Sequence, residues 1–198
     1  MSSHEFDFHF GSKRRTEYQH PLEGMAKEAF IRLFLFDLKL RALIIKAMSL
    51  IELSIQVKVL RYKPEIVIQS FGQLRREISD LPSGLQHLIA KEVGVGNPKQ
   101  LRALLRNFNT LRNCAAHHER VWNKRLPFAI PKITESIYPT LGSHSLDRYS
   151  SAASLLGIMH FLTALPYLLD FECEFNQLIE ESDFDRDFIL KSMGFEVS

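Results

Sequence analysis

Apolar residues along this chain recur mainly at helical spacing, and no stretch of convincing length alternates with the period of two that a half-buried strand needs. From Met25 to about Arg61 there is neither Gly nor Pro. One apolar row in that stretch passes through Ile31, Phe34, Leu35, Leu38, Ala42, Ile45, Met48, Ile55 and Val59. A second passes through Leu33, Phe36, Leu40, Leu43, Ala47, Leu50 and Ser54. Two rows predict a central helix packed on more than one side. Asp37 and Arg41 stand at i,i+4, where opposite charges on a helix can pair. Pro64 stops this helix or starts the next turn.

The punctuation that follows predicts further helices. A second one covers 65–80 and ends before the turn Asp80-Leu81-Pro82-Ser83-Gly84. A third, over 85–93, is closed by Gly94-Val95-Gly96, which lacks the G-x-G-x-x-G spacing and the following Lys of a phosphate-binding loop. Asn97 is a good N-cap with Pro98 at the first helical position. The helix they open is expected to reach about Trp122, with an apolar stripe of Leu101, Leu104, Leu105, Phe108, Leu111 and Ala115. Pro127 and Pro131 bracket an extended crossing. Ser145 or Asp147 can cap another long helix, with Ala152, Leu155, Leu156, Met159, Leu162 and Leu165 on its apolar rows, which Pro166 kinks or ends. Asp183 caps a last short helix closed by Gly194. The expected fold is all-α, a helical bundle with an up-and-down core and additional C-terminal helices. It forms one domain over residues 22–198, preceded by a loosely ordered basic arm, 1–21, that carries Lys13-Arg14-Arg15.

Composition adds boundaries. With 198 residues, 45% of them hydrophobic and 24% charged, the chain suits a soluble globule of one domain. A net charge of +2 is too small to prove a nucleic-acid partner, although a local basic patch can still serve one. Two cysteines, Cys114 and Cys173, make no disulfide framework and suit a reducing cytoplasm. The polar start carries no secretory pattern. Lys39, Arg41, Lys46, Glu52 and Lys58 interrupt the most apolar segment too densely for a membrane span. A cytoplasmic protein without membrane contact is the expectation.

The candidate chemistry lies in Leu111–Asn123, which packs an arginine, an amide and two imidazoles into one helix-compatible run. Such a set can bind a phosphate, stabilise charge on it and shuttle a proton. At about 100° per residue, Asn113, His117 and Arg120 share one helical face, while Arg112 lies about 140° from His117. A long arginine can lean across, or a second copy of the helix can complete the pair. Bland readings exist for both residues: Arg112 can serve as an ion-pair partner of Glu52, and His117 as an interior histidine. Cys114, His117 and His118 have no second ligand cluster beside them in sequence, so no metal is expected.

The order R-N-x-x-A-H-H-x-R-x-W-N from Arg112 to Asn123 resembles the signature of the Abi-like (abortive infection, bacteriophage resistance) family, a branch of the HEPN superfamily marked by R-x(4–6)-H. Here four residues separate Arg112 from His117. The resemblance covers about residues 30–180. Phe34-Leu35-Phe36-Asp37-Leu38-Lys39-Leu40-Arg41 is similar to the family's F-x-x-D-x-x-L-R segment, Glu52 to its acidic position, Ser70-Phe71-Gly72-Gln73-Leu74 to its S-F-G-x-L stretch, and Leu126-Pro127 through Pro131 to the crossing after the site. Where the family commonly has an arginine four residues after the acidic position, this chain has Gln56.

The resemblance implies a HEPN-like bundle and a metal-independent endoribonuclease of a toxin-type phage-defence system, needing no cofactor. In it Arg112, Asn113, His117 and Glu52 are the catalytic set, and His118, Arg120, Asn123 and Lys124 contact the RNA. It also implies a homodimer with a composite site, and a possible antitoxin protein or small RNA that holds it in check. The alternative is a non-catalytic RNA-binding or regulatory helical module of the same fold.

Overall fold

A computed structural model of the chain describes residues 26–68, 70–130, 147–162 and 170–195. The basic arm with Lys13-Arg14-Arg15, the positions of Pro131 and Ser145, and Pro166 lie outside the described residues. Among those described there are seven helices and no named strand, so the fold is all-α. They are α1 (Lys27–Tyr62), α2 (Phe71–Asp80), α3 (Ser83–Glu92), α4 (Pro98–Ala116), α5 (Ser151–Leu162), α6 (Phe171–Glu180) and α7 (Arg186–Met193). A lone antiparallel bridge joins Arg125 to Ser150. Buried side chains of all seven helices join one hydrophobic cluster.

Local capping chemistry sets most starts. The Ser70 hydroxyl accepts the Gln73 amide, so α2 begins at Phe71 instead of the expected residue 65. Asn97 caps α4 through the Gln100 amide, with Pro98 at its first position, as the sequence predicts. α5 starts later than expected. Asp147 accepts the Tyr149 amide in a turn, and the Ser150 hydroxyl takes the Ala153 amide as the actual cap. Asp185, not Asp183, caps α7 by accepting the Phe188 amide. Gly94 and Gly194 follow α3 and α7 with positive φ, as closing glycines do.

α1 is central as expected, packing against α2, α3, α4, α5 and α6, while α5 is the most fully enclosed helix. Every α5 residue except Leu156 is buried. Gly157 lets α5 press against α4: a Cβ there would sit 2.9 Å from Ile130 Cδ1 and 3.3 Å from Leu104 and Phe108. Of the two apolar rows on α1, the one with Leu33, Phe36, Leu40, Leu43 and Ala47 is buried; the other is buried in its later part, at Met48, Ile55 and Val59, while Ile31, Phe34, Leu35 and Leu38 remain 45–56% exposed. A helix with many apolar residues all round therefore need not be enclosed; here one side is left without cover.

His160 ties α5 to the α3–α4 turn, with Nε2 3.3 Å from the Gly94 carbonyl. Nε2 therefore carries the proton and donates. Burial pulls this imidazole below its ordinary range, against the opposing pull of the Gly94 carbonyl. The neutral ring is the favoured folded form, so its contribution to stability is complete above the ordinary histidine value of about 6.5 and is lost as the pH falls below it. Thermal unfolding of the wild type is expected to shift to lower temperature from neutral pH towards pH 5, and His160→Gln to flatten that part of the profile. Equal slopes in the two proteins would remove His160 as the cause.

Candidate functional site

The site depends on how α4 ends. The helix stops at Ala116, six residues before the expected Trp122. His117 is its C-cap, with its amide still donating to the Asn113 carbonyl at 2.9 Å. His118 then takes φ of +59°, a left-handed conformation usually given to glycine. The Glu119 amide turns back to the Cys114 carbonyl at 2.9 Å, closing a Schellman-type cap. The chain beyond is captured from α1. One carboxylate oxygen of Asp37 accepts the Val121 amide at 2.8 Å and the Trp122 amide at 2.9 Å. The other lies 3.1 Å from Arg41 Nε, in a pair that is almost wholly buried. Two amides pointed at a distant carboxylate cannot also continue α4, which is why the helix ends early.

This tether carries strong electrostatics. Burial pushes the Asp37 carboxyl above the usual range; the two amides and the guanidinium groups of Arg41 and Arg120 pull it back in part. Burial lowers Arg120, opposed by the Asp37 charge. Arg120 thus belongs with Asp37, beyond the helix end, and does not share the face of Asn113 and His117 that a continuous helix would have given it. Arg41 also reaches the motif itself: its Nη1 is 3.2 Å from His118 Nδ1. A guanidinium has no acceptor, so Nδ1 must accept and the His118 proton sits on Nε2.

α1 and α4 run antiparallel here. Asp37 and Arg41 meet residues 118–122, and Glu52, further along α1, lies by Arg112. Burial raises the Glu52 carboxyl, and the Arg112 charge lowers it. Gln56, the residue standing where an arginine was expected, points its amide at Glu52 Oε1 at 3.5 Å. Arg112 leans the other way along the surface, with Nη1 3.4 Å from Asn113 Oδ1. This brings its guanidinium towards the face of Asn113 and His117 despite the angular offset. His117 is exposed, so the reading of an interior histidine does not hold. Arg112 and Asn113 are in contact on the last turn of α4, His117 is exposed at its cap, and Glu52 lies near Arg112.

The remaining candidates are less available to a ligand. Lys124 is engaged by Glu119 in a close ion pair. Burial pulls the Lys124 ammonium down, but the contacts with Glu119 and Cys114 outweigh it and the net direction is up. Glu119 is held low, first by Lys124. Asn123 is buried at 4% exposure, so its side chain is not on the surface where an RNA contact was expected. Cys114 is buried, and burial raises its thiol. Among the described residues no group of three or more His, Cys, Asp or Glu side chains is placed to hold a metal ion, and no helix is long and apolar enough to cross a membrane. Sequence reasoning left Asp37 and Arg41 out of the site. Their i,i+4 spacing and their place in the F-x-x-D-x-x-L-R segment were the available signals.

No curated protein and no solved structure matches the chain. The family model described as Abi-like protein matches residues 66–123, a stretch that contains α2, α3, the whole of α4 and the motif from Arg112 to Asn123, and it is to this family that the stretch is similar.

Proposed function

We propose that this protein is a metal-independent endoribonuclease of an abortive-infection system, acting on RNA in phage defence. One observation carries the reading: Arg112 reaches Asn113 on the last turn of α4 and His117 is exposed at the cap of the same helix, inside the stretch similar to the Abi-like family. In the proposed reaction the ribose 2′-hydroxyl attacks the adjacent phosphorus and the 5′-oxygen departs. His117 takes the 2′-hydroxyl proton or delivers one to the leaving oxygen. Arg112 neutralises charge on the non-bridging phosphate oxygens, and Asn113 and Glu52 hold it in place. The products are a 2′,3′-cyclic phosphate and a 5′-hydroxyl. DNA lacks the attacking group and is inert. Incubating the purified protein with labelled RNA in the presence of a chelator, beside His117→Ala, tests this. Cleavage by the wild type alone, with cyclic phosphate ends, supports it. Cleavage that requires a divalent metal or survives His117→Ala overturns it.

One protomer offers one copy of Arg112 and His117, and His118 beside them is engaged by Arg41, whereas this reaction uses both a base and an acid. We propose that a second copy supplies the other set. The uncovered side of α1 supports this: Ile31, Phe34, Leu35, Leu38 and Leu53 are exposed along it. By helical register Glu52 and Gln56 fall on the same stripe, and Glu52 lies by Arg112. A helix of 36 residues spans about 54 Å, long enough to contribute to an interface of the roughly 1,200–2,000 Å² that stable complexes bury. Leu35→Arg with Leu38→Arg is expected to give a monomer by light scattering and to remove cleavage while helicity is kept. A wild type that is monomeric and fully active at micromolar concentration overturns the pairing.

A further inference from the structure

A second feature lies on the same face of α4, towards its other end. A cleft of about 630 Å³ opens between α2, α4 and the segment 127–129. Four cations line it: Arg75 from α2, and Lys99, Arg102 and Arg106 from α4. No carboxylate is among its lining residues, and among the described residues none of these four is held in an ion pair. Phe128 and Tyr149 add aromatic surface. The Arg106 guanidinium already lies 4.5 Å over the Phe128 ring, and Arg125 lies 4.6 Å over Tyr149, so flat cationic and aromatic groups are layered along the rim. Arg125 is neutralised by Asp147 at 3.1 Å, which leaves the uncompensated charge inside the cleft.

Cations that track a backbone, interleaved with rings on which bases can stack, are the requirements of a single-stranded nucleic acid groove. The register of α4 gives the groove a direction. Lys99, Arg102, Arg106, Asn113 and His117 follow one another at three-, four- and seven-residue steps and therefore lie on one side of the helix. From Lys99 to His117 the rise is about 27 Å, a distance that several nucleotides of extended strand cover.

We propose that this cleft is a docking site for single-stranded RNA. It holds the phosphates of the segment flanking the scissile bond and lays the strand along α4 towards His117. The inference rests on the proposed reading of RNA as the substrate. Affinity for a longer strand then comes from the cleft, while chemistry stays at Arg112 and His117.

The test uses the full chain carrying His117→Ala, so that bound RNA stays intact. Binding of an unstructured oligoribonucleotide long enough to span α4 is measured by fluorescence anisotropy across a salt series. The same series is run with Lys99→Gln and Arg106→Gln added. Both positions are exposed, so the fold should tolerate them. A control carries Arg186→Gln and Lys191→Gln on α7, which removes equal charge from a helix that does not line the cleft. Each phosphate contact on a single strand contributes about 0.7 to the slope of log K against log salt, so the cleft variant should lose about 1.4 and the control almost nothing. Binding that behaves this way supports the cleft even if the wild type cuts no RNA, in which case the catalytic reading fails and the docking site stands. RNA bound with an unchanged slope in the cleft variant, or with an equal loss in the control, overturns the cleft and leaves the catalytic reading untouched. Absence of any RNA binding at low salt overturns both.

Discussion

Replacing Asp37 with alanine is expected to destabilise the protein by about 3–5 kcal/mol, the usual cost of removing one partner from a buried charge pair. Three losses coincide. Arg41, almost wholly buried, keeps its charge without its carboxylate. The Val121 and Trp122 amides lose their shared acceptor in a buried place. Arg120 loses the nearby charge that opposes the effect of its burial. Asp37→Asn separates these contributions, since an amide oxygen can still accept both N–H groups but offers no charge to either arginine. Its loss should fall between wild type and alanine. Urea unfolding followed by circular dichroism measures the series. An Asp37→Ala protein within about 1 kcal/mol of wild type would show that the tether is not what holds the end of α4, because surface changes without a structural role stay in that range.

The largest expected effect on activity is at Arg112 and His117. Alanine at His117 removes proton transfer, which typically contributes about 10²–10⁴-fold. Alanine at Arg112 removes a preorganised cation from the charged transition state and should reduce the rate by a similar order. Because both act on one phosphate, the double variant should be little worse than either single one. Arg112→Lys is informative as well. Lysine keeps the charge but loses the planar fork that can reach Asn113 and a phosphate together, so its recovery should be partial. Rates for a dinucleotide substrate, with helicity checked in parallel, provide the readout. Additive losses in the double variant would mean that the two residues act on different steps.

The legible parts of this fold were those written in local chemistry. Asn97 and Pro98 announce the start of α4 because a side-chain oxygen and a fixed φ act within three residues. Gly94 and Gly194 announce helix ends because positive φ suits a residue without a Cβ. The end of α4 was not legible. Its stop signal is a carboxylate 84 residues away in sequence, and the left-handed position is filled by His118 instead of glycine. The misplacement of Arg120 followed from that one error, since its place beside His117 assumed that the helix continued. Burial was legible as pattern but not as assignment. α1 and α5 are both rich in apolar residues, and spacing alone does not say which side another element will cover. Within the site, Arg112, Asn113 and His117 were found by adjacency in sequence. Asp37 and Arg41 act on the motif from another helix, and Asn123 looked like a surface amide only because its burial is set by the tertiary packing.

The Asp37 tether makes the working unit longer than the unit of similarity. Its carboxylate grips peptide N–H groups, which every residue but proline possesses, so positions 121 and 122 can change identity with little effect on the grip while position 37 cannot. The matched stretch, 66–123, contains the arginine and the histidine but neither Asp37, Arg41 nor Glu52. Excised on its own, it would keep the letters of the motif and lose the helix that gives them their shape.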